Sequence, residues 1–210
     1  MTRLPLNTCL AAILVWVLAF PLGAWSESPE SRMVSFSADV KRLLTDRKTT
    51  VMGKLFVSPE GIRSETVRNG MPVILIHKPT RKTIWTVFPN EKSYMERTGI
   101  AISRPPLPDE AESPCRTNKG FMCRQVGTET LLGRSVMHWE IVIKGPERDV
   151  PHAHLWVDTR LQIAIREHYA DGLVVELTNI QEGPQPATLF AIPTEYQKVA
   201  PPAEATPSTQ

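Results

Sequence analysis

Apolar and polar side chains alternate along much of the chain from Ser35 onward. In one segment Trp139, Ile141 and Ile143 take one set of alternate positions, and His138 and Glu140 take the other. Because successive side chains of a strand point to opposite faces, this period of two predicts half-buried antiparallel strands. The longer period of an amphipathic helix does not recur, so the pattern predicts a mainly β protein.

Turn-forming residues interrupt the alternation at short intervals, as they do in antiparallel hairpins. Asn69-Gly70 supplies the positive φ angles of a tight turn, and prolines at Pro59, Pro79 and Pro89 mark three more turns. A proline-rich interruption follows at residues 104–114. The predicted strands number ten or eleven and cover residues 35–44, 51–57, 62–67, 72–77, 83–88, 93–96, 123–130, 135–143, 152–157, 163–169 and 173–180.

Two of these strands do not alternate. In Val73-Ile74-Leu75-Ile76 and in Ile84-Trp85-Thr86-Val87-Phe88, large apolar side chains fall on both faces. Soluble proteins seldom leave large apolar patches open, so something has to cover the second face. The candidates are the connector at residues 97–123, a helix formed elsewhere, and an apolar ligand held by the sheet. For the last case the predicted ligand groove is drawn from Ile74, Ile76, Ile84, Trp85, Val87 and Phe88.

The amino terminus has the organisation of a secretory signal peptide, which predicts a periplasmic protein. Arg3 precedes an apolar stretch at residues 10–22, and the small residues Ala24 and Ser26 fit a cleavage before Glu27. An uncleaved membrane anchor is the alternative, but the apolar stretch is shorter than the roughly 20 residues of a spanning helix. Cys9 lies before this stretch, whereas the cysteine of a lipoprotein follows it, so we expect Cys9 to be removed with the signal peptide.

The length and charge of the mature chain limit its domains and partners. Residues 27–199 suffice for one domain with a sizeable core, and the Pro-rich residues 200–210 predict a disordered tail. Without Arg3 the chain has 23 basic and 22 acidic residues, so no nucleic-acid partner is implied. Residues 41–97 contain 12 basic and five acidic residues, which fits either a solvated sheet surface or peripheral contact with anionic lipid or an acidic partner.

Two cysteines remain after processing, Cys115 and Cys123. In an exported chain a pair eight positions apart predicts a disulfide, worth about 2 to 3 kcal/mol in the chain-entropy description. A redox-active pair is the alternative, but it would have the CxxC spacing that is missing here.

Seven stretches of the chain carry a resemblance to a known family: Gly53 to Arg63, Trp85, Pro89, Lys92 to Glu96, Leu155 to Asp158, Gly183 to Pro186 and Leu189 to Pro193. They resemble an uncharacterised family of bacterial periplasmic proteins that is similar to the LolA/LolB lipoprotein carriers. The resemblance covers nearly all of residues 35–199. It implies a single antiparallel, strongly curved sheet, a half-open barrel with a short helix or loop as cover, whose concave face takes acyl chains in the carriers.

Catalytic chemistry has little support in the sequence. His152 and His154 share a strand face, and a hairpin near residues 158–161 would bring His168 opposite His152. Three imidazoles can hold a metal ion, but Arg166 projects beside His168 and no fourth ligand is evident. We therefore expect a solvated polar face at these histidines. No GxSxG, HExxH or phosphate-binding glycine loop occurs, and we expect neither an enzyme nor a bound cofactor or metal.

Two functions remain open from the sequence. The first is a non-catalytic binder of acyl chains or lipoproteins, favoured by the doubly apolar strands and by the resemblance. The second is a regulator or accessory factor of the cell envelope that binds another protein and has the same fold with a closed core. An open apolar groove would favour the first.

Overall fold

Twelve β-strands make up one sheet in the part of the chain that the structure, a computed structural model, describes: residues 34–99, 114–115 and 120–201. These residues belong to one compact unit, Ser31–Gln210. The strands are β1 (Phe36–Leu43), β2 (Thr50–Ser58), β3 (Gly61–Arg68), β4 (Met71–Lys78), β5 (Thr83–Phe88), β6 (Ser93–Thr98), β7 (Phe121–Leu131), β8 (Arg134–Ile143), β9 (Val150–Asp158), β10 (Ala164–Tyr169), β11 (Val174–Glu182) and β12 (Gln197–Val199).

The sheet is curved and unclosed, and β1, the first described strand, lies in its interior between β2 and β11. Its strand order is β12-β6-β5-β4-β3-β2-β1-β11-β10-β9-β8-β7, so two antiparallel meanders meet where β1 pairs with β11. The predicted mainly β, antiparallel and strongly curved fold is confirmed. The pattern did not predict β12, which pairs in parallel with β6 through Gln197 and Ser93, and whose three residues are all exposed.

The predicted turns have the backbone geometry that their residues favour. Asn69 and Gly70 have φ angles of 51° and 77°, as a tight hairpin turn requires. The two proline turns after β4 and β5 are short 3-10 helices, Pro79–Arg81 and Pro89–Glu91. Proline begins each of them, since its fixed φ suits the first helical position, and a left-handed lysine, Lys82 or Lys92, ends it.

Paired residues assign every strand to the same two faces of the sheet, because side chains directly opposite each other point the same way. On one face Phe36 pairs with Val57, Val57 with Ile62, Ile62 with His77, and His77 with Ile84. We call this the Phe36 face. It continues from β1 to β8 through five residues, each of which pairs with the next: Arg42, Val175, Glu167, Leu155 and Trp139.

The opposite face is named after Phe190, which packs on it. From β2 to β5 it is formed by the paired residues Phe56, Arg63, Ile76 and Trp85. From β1 to β8 it is formed by the paired residues Lys41, Glu176, Arg166, Trp156 and His138. The Phe190 face is therefore more polar than the Phe36 face except where it crosses β4 and β5.

The main core lies around Phe36, which is fully buried. Leu161 and Ile163, in the loop after β9, join it from one end of the sheet. Asp158 holds this loop in place, since the residue is 1% exposed and its carboxylate accepts the backbone N–H groups of Arg160 and Leu161 at 2.8 Å. The remaining members of the buried cluster are Ala38, Val40, Val57, Val136, Ile165 and Leu177.

A disulfide joins Cys115 to Cys123 on β7, with Cα atoms 5.6 Å apart, as the spacing predicts. The predicted signal peptide, most of the connector at residues 97–123 and the tail beyond Pro201 lie outside the described residues. In residues 34–99, 114–115 and 120–201, no helix has the length and apolar character needed to cross a membrane.

Candidate functional site

The doubly apolar strands β4 and β5 send large side chains to both faces of the sheet. Ile74 pairs with Val87, and Ile76 with Trp85, so these four residues lie on the Phe190 face. Ile84 pairs with His77 and lies on the Phe36 face, as Phe88 does by alternation. The six residues predicted for the groove are therefore divided between two surfaces.

The protein's own carboxyl-terminal segment covers the Phe190 face of β4 and β5. The 3-10 turn Ala187–Phe190 places Phe190 on this face, where Phe190, Ile76 and Val87 are 1%, 1% and 3% exposed. Arg63 Nη1 donates to the carbonyl oxygen of Leu189 at 2.9 Å. Further along, the backbone N–H of Gln197 donates to the carbonyl oxygen of Lys92 at 2.9 Å. The partly buried side chains around this cluster are Phe56, Ile74, Trp85, Tyr94, Leu189, Ile192 and Tyr196.

The Phe36 face remains apolar on both sides of the core. On β4 and β5, Leu75, Ile84 and Phe88 are half-buried. On β8, Trp139 and Ile141 are 5% and 7% exposed. Trp139 and Ile141 are therefore already covered, whereas the half-buried side chains of β4 and β5 are suited to holding an apolar chain.

A small polar group interrupts this apolar face between β1 and β10. The hydroxyl of Tyr169 donates to Glu167 Oε2 at 2.7 Å, and Arg42 lies on the same face, separated from Glu167 by Val175. Burial raises the pKa of the Glu167 carboxyl, while the Tyr169 hydrogen bond and the charge of Arg42 act in the opposite direction. Burial also lowers the pKa of the Arg42 guanidinium. These groups give the apolar surface a fixed polar centre.

An aromatic and histidine surface occupies the Phe190 face of β7 to β10. His138 stacks on Trp156 with ring centroids 4.4 Å apart, and His138 Nε2 lies 3.0 Å from His154 Nδ1. Glu129 contacts the rings of His138 and Trp156. Its Oε1 lies 2.9 Å from His138 Nδ1, and its Oε2 accepts Trp156 Nε1–H at 3.2 Å. Partial burial and the charge of Arg166 lower the pKa of His168, whose ring meets Trp156 edge-on. On this surface Arg124 pairs with Glu140, and Arg166 pairs with Glu176 at 2.8 Å.

The histidines do not group as the sequence predicted. His168 pairs with His154, not with His152, because β10 begins at Ala164 and its register on β9 is shifted by a bulge. The ring of His152 instead lies 5.0 Å from that of Phe121 and 5.6 Å from that of Tyr169. In the described part of the chain, no three His, Cys, Asp or Glu side chains are grouped so that they can hold a metal ion.

Two residues of the site were not identified from the sequence. In the sequence, Phe190 stands out only as part of a segment that carries the family resemblance. The apolar run Leu189-Phe190-Ala191-Ile192 after a proline-rich segment is nevertheless a signal for a segment that packs on the sheet. Trp139 was assigned to a strand face by alternation. Nothing in its local sequence shows that its buried indole N–H has no acceptor in the described part of the chain, because that depends on strands distant in the chain.

The curved, unclosed antiparallel sheet agrees with the fold that the resemblance implied. No family model matches the sequence, and no curated protein matches it. Among solved structures, an uncharacterised conserved protein from Thermus thermophilus is similar at a TM-score of 0.53 and 12% identity, covering 81% of this chain and 93% of that one. Identity at this level shows a shared fold and leaves function open.

Two further structures show a weaker likeness. The complex of MucA and MucB from Pseudomonas aeruginosa gives a TM-score of 0.48 at 15% identity, over 80% of this chain and 59% of the matched chain. A LolA superfamily protein from Nitrosomonas europaea gives a TM-score of 0.36 at 9% identity, over 77% of this chain and 93% of that one.

Proposed function

We propose that this chain is an exported, non-catalytic protein of the bacterial envelope that binds acyl chains, of lipids or of lipoproteins, on its Phe36 face. The observation that supports this proposal is the unequal cover of the two faces. Phe190 and its neighbours bury the Phe190 face of β4 and β5, whereas Leu75, Ile84 and Phe88 stay half-buried on the other face. Ile84 and Phe88 are thus the predicted groove residues that we assign to the ligand.

The expected affinity follows from the apolar area that an acyl chain buries. A sixteen-carbon chain would lose roughly 300 to 400 Å² of exposed apolar surface, a gross gain of about 8 to 10 kcal/mol. Immobilising the ligand costs several kcal/mol of this gain, so the dissociation constant should lie in roughly the micromolar range. Such an affinity allows a carrier both to load and to release its ligand.

The test begins with mature protein purified without detergent. Organic extraction followed by mass spectrometry should identify co-purified lipid, and palmitate should displace a bound fluorescent fatty acid at micromolar concentration. A folded protein that carries no lipid and displaces nothing at tens of micromolar would overturn the proposal.

A pair of phenylalanines on opposite faces provides the matched control. Phe88→Ala removes a half-buried ring from the Phe36 face and should weaken palmitate binding several-fold. Phe56→Ala removes a partly buried ring from the Phe190 face and should leave binding unchanged. Circular dichroism and thermal unfolding of both variants separate a loss of binding from a loss of structure.

A second candidate, a protein-binding regulator or accessory factor of the envelope, is favoured by one observation at the sheet edge. Strand β7 is 11 residues long, and in the part of the chain that the structure describes no strand pairs with its outer edge. Its Val126 side chain is 54% exposed. A long, open edge is a template for a partner's strand.

Crosslinking in living cells tests this second candidate. A photoreactive residue at Val126 should give one discrete protein adduct in the envelope. The same residue at Met52, which is 55% exposed on the central strand β2, should give none. Equal labelling from both positions would remove the support that the edge gives.

A further inference from the structure

Arg42 is a half-buried arginine that has no carboxylate partner in the described part of the chain. Four arginines are half-buried in residues 34–99, 114–115 and 120–201, and three of them pair with a carboxylate: Arg63 with Glu65, Arg134 with Asp158, and Arg166 with Glu176. Among the same residues Arg42 takes part in no ion pair and in no side-chain hydrogen bond. Because an arginine keeps its charge, one that is partly withdrawn from water normally has a counter-charge.

Arg68 lies on the same face as Arg42, two strands away. Arg42 pairs with Val51 on β2, and the register of β2 with β3 brings Arg68 opposite Val51. Neighbouring strands are about 4.8 Å apart, so the two arginines start about 10 Å apart at the backbone. A Cβ atom at Gly53 would be 3.7 Å from Arg42 Nη1, so the Arg42 guanidinium leans over β2, the strand between the two arginines.

Glu167 does not neutralise this pair of cations. It lies on the other side of Arg42, across Val175, and its Oε2 accepts the Tyr169 hydroxyl at 2.7 Å. Burial lowers the pKa of the Arg42 guanidinium, the charge of Glu167 raises it, and the charge of Arg68 lowers it. Two guanidinium groups thus accompany one carboxylate in this row of the Phe36 face, which gives the row a net positive charge.

An exposed apolar side chain joins these arginines to the proposed ligand surface. Arg68 is exposed and pairs with Met71 on β4, which is 51% exposed. The register of β4 with β5 places Phe88 beside Val73, two residues from Met71. Diagonal neighbours of this kind are within reach of long side chains. A ligand can therefore contact Phe88, Met71 and Arg68 without displacing a buried residue.

Two guanidinium groups beside an apolar surface suit a lipid that has an anionic phosphate in its headgroup. Each guanidinium presents several N–H donors in a fixed plane, and a phosphate has enough oxygens to accept from two guanidinium groups at once. The single carboxylate of a fatty acid is fully engaged by one guanidinium in a bidentate pair. An acyl chain attached to the phosphate would extend past Met71 to Phe88.

We infer that the Phe36 face binds an acyl lipid with an anionic phosphate headgroup, which Arg42 and Arg68 hold while the acyl chain lies on Met71 and Phe88. This inference rests on the proposed function and narrows the ligand from acyl chains in general to anionic phospholipids. It also gives a role to part of the excess of basic residues at 41–97.

Three probes that share parts of one structure test the inference on wild-type mature protein. They are 1-myristoyl lysophosphatidylglycerol, the neutral 1-monomyristoylglycerol, and glycerol 3-phosphate, which has the phosphate but no acyl chain. Calorimetry below the critical micelle concentrations should show about tenfold tighter binding of the phospholipid than of the neutral lipid, as expected for charge-assisted hydrogen bonds at a partly exposed site. Glycerol 3-phosphate should not bind at concentrations that saturate the protein with the phospholipid.

Substitutions at three arginines locate the headgroup. Arg68→Gln and Arg42→Gln should each weaken phospholipid binding several-fold and leave binding of the neutral lipid within about twofold of wild type. Arg81→Gln is the matched control, because it removes the same charge from an exposed arginine at the opposite end of β4. Circular dichroism and thermal unfolding check that each variant is folded. In NMR spectra of wild-type protein, the Arg42 Nε–H signal should shift on adding the phospholipid and not on adding the neutral lipid.

The outcomes distinguish the inference from the proposed function. Equal binding of the two lipids, with no effect of Arg42→Gln or Arg68→Gln and no shift of the Arg42 signal, would overturn the inference and leave an acyl-binding protein. A preference for the phospholipid that Arg81→Gln removes would also overturn it, because the headgroup would then lie at the other end of β4. Glycerol 3-phosphate bound as tightly as the phospholipid would overturn it in favour of a site for a free anion. No binding of either lipid or of palmitate would refute the proposed function itself.

Discussion

Replacing Phe190 with alanine should release the carboxyl-terminal segment from the sheet. Phe190 is 1% exposed and packs on Ile76 and Val87, which are themselves almost completely buried. A phenylalanine side chain of this burial contributes about 3 to 5 kcal/mol relative to alanine. The contacts that would remain are the hydrogen bond of Arg63 to Leu189, one backbone bond at Gln197 and the partly buried rim of the cluster.

The size of the measured effect depends on whether the segment opens by itself. If the segment stays docked, the free energy of unfolding falls by the full cost, about 3 kcal/mol or more. If it undocks, the loss is limited to the free energy that held it in place, and the sheet from β1 to β5 remains folded. In both cases the amide of Gln197, which is bonded to Lys92 in the native structure, should exchange at least about tenfold faster.

Denaturant unfolding, monitored by tryptophan fluorescence, measures the free energy of unfolding. Hydrogen exchange, monitored by mass spectrometry, measures the exchange rate at Gln197. Phe190→Leu should recover most of the stability, because leucine refills part of the space. Phe121→Ala, at a half-buried ring on the far edge strand β7, should leave exchange at Gln197 unchanged. A loss below about 1 kcal/mol, together with unchanged exchange at Gln197, would refute our account of Phe190 as the residue that secures the segment.

The other predictions concern processing, oxidation, metal binding and pH. Protein recovered from the periplasm should have the intact mass of a chain that begins at Glu27, and a membrane-bound form that retains Met1 would contradict this. Labelling of native mature protein should detect no free thiol at Cys115 or Cys123. Calorimetry should detect no submicromolar zinc site, and a site abolished by His154→Ala would prove this wrong. Because burial raises the folded-state pKa of Glu167, its contribution to stability is present at low pH and is lost as the pH rises through that pKa. Glu167→Gln should therefore lose less stability than wild type as the pH rises above the ordinary glutamate pKa, and an equal loss in both proteins would show that Glu167 does not cause the pH dependence.

The strands and turns were predictable because their signals are local. Alternation at Trp139 and Ile141 and the Asn69-Gly70 turn each depend on a few adjacent residues, and each appears in the structure close to the predicted bounds. Strand β12 carried no such signal. Its three residues form a strand only because the cluster at Phe190 brings them beside β6, which is a tertiary effect.

The site was less predictable because its geometry depends on register between distant strands. The apolar character of both faces of β4 and β5 was evident from the sequence, but which face is covered depends on Phe190, about a hundred residues further along the chain. The histidine register failed for a similar reason. A bulge between Ala164 and Arg166 changes which residues of β9 and β10 face each other, and no residue type in that stretch indicates it.

The unequal cover of the two faces separates stability from binding in this fold. An open sheet has to bury at least one apolar face to be stable, and the segment around Phe190 does so on the Phe190 face of β4 and β5. Because that cover is supplied from the other side, residues of the Phe36 face such as Ile84 and Phe88 do not have to be fully buried to hold β4 and β5 in place. Substitutions there can then change what the sheet binds at small cost in stability, whereas substitutions around Phe190 change stability first. A sheet built this way can vary its ligand while keeping its fold, and that expectation can be tested by comparing Phe88→Ala with Phe190→Ala in the same two assays.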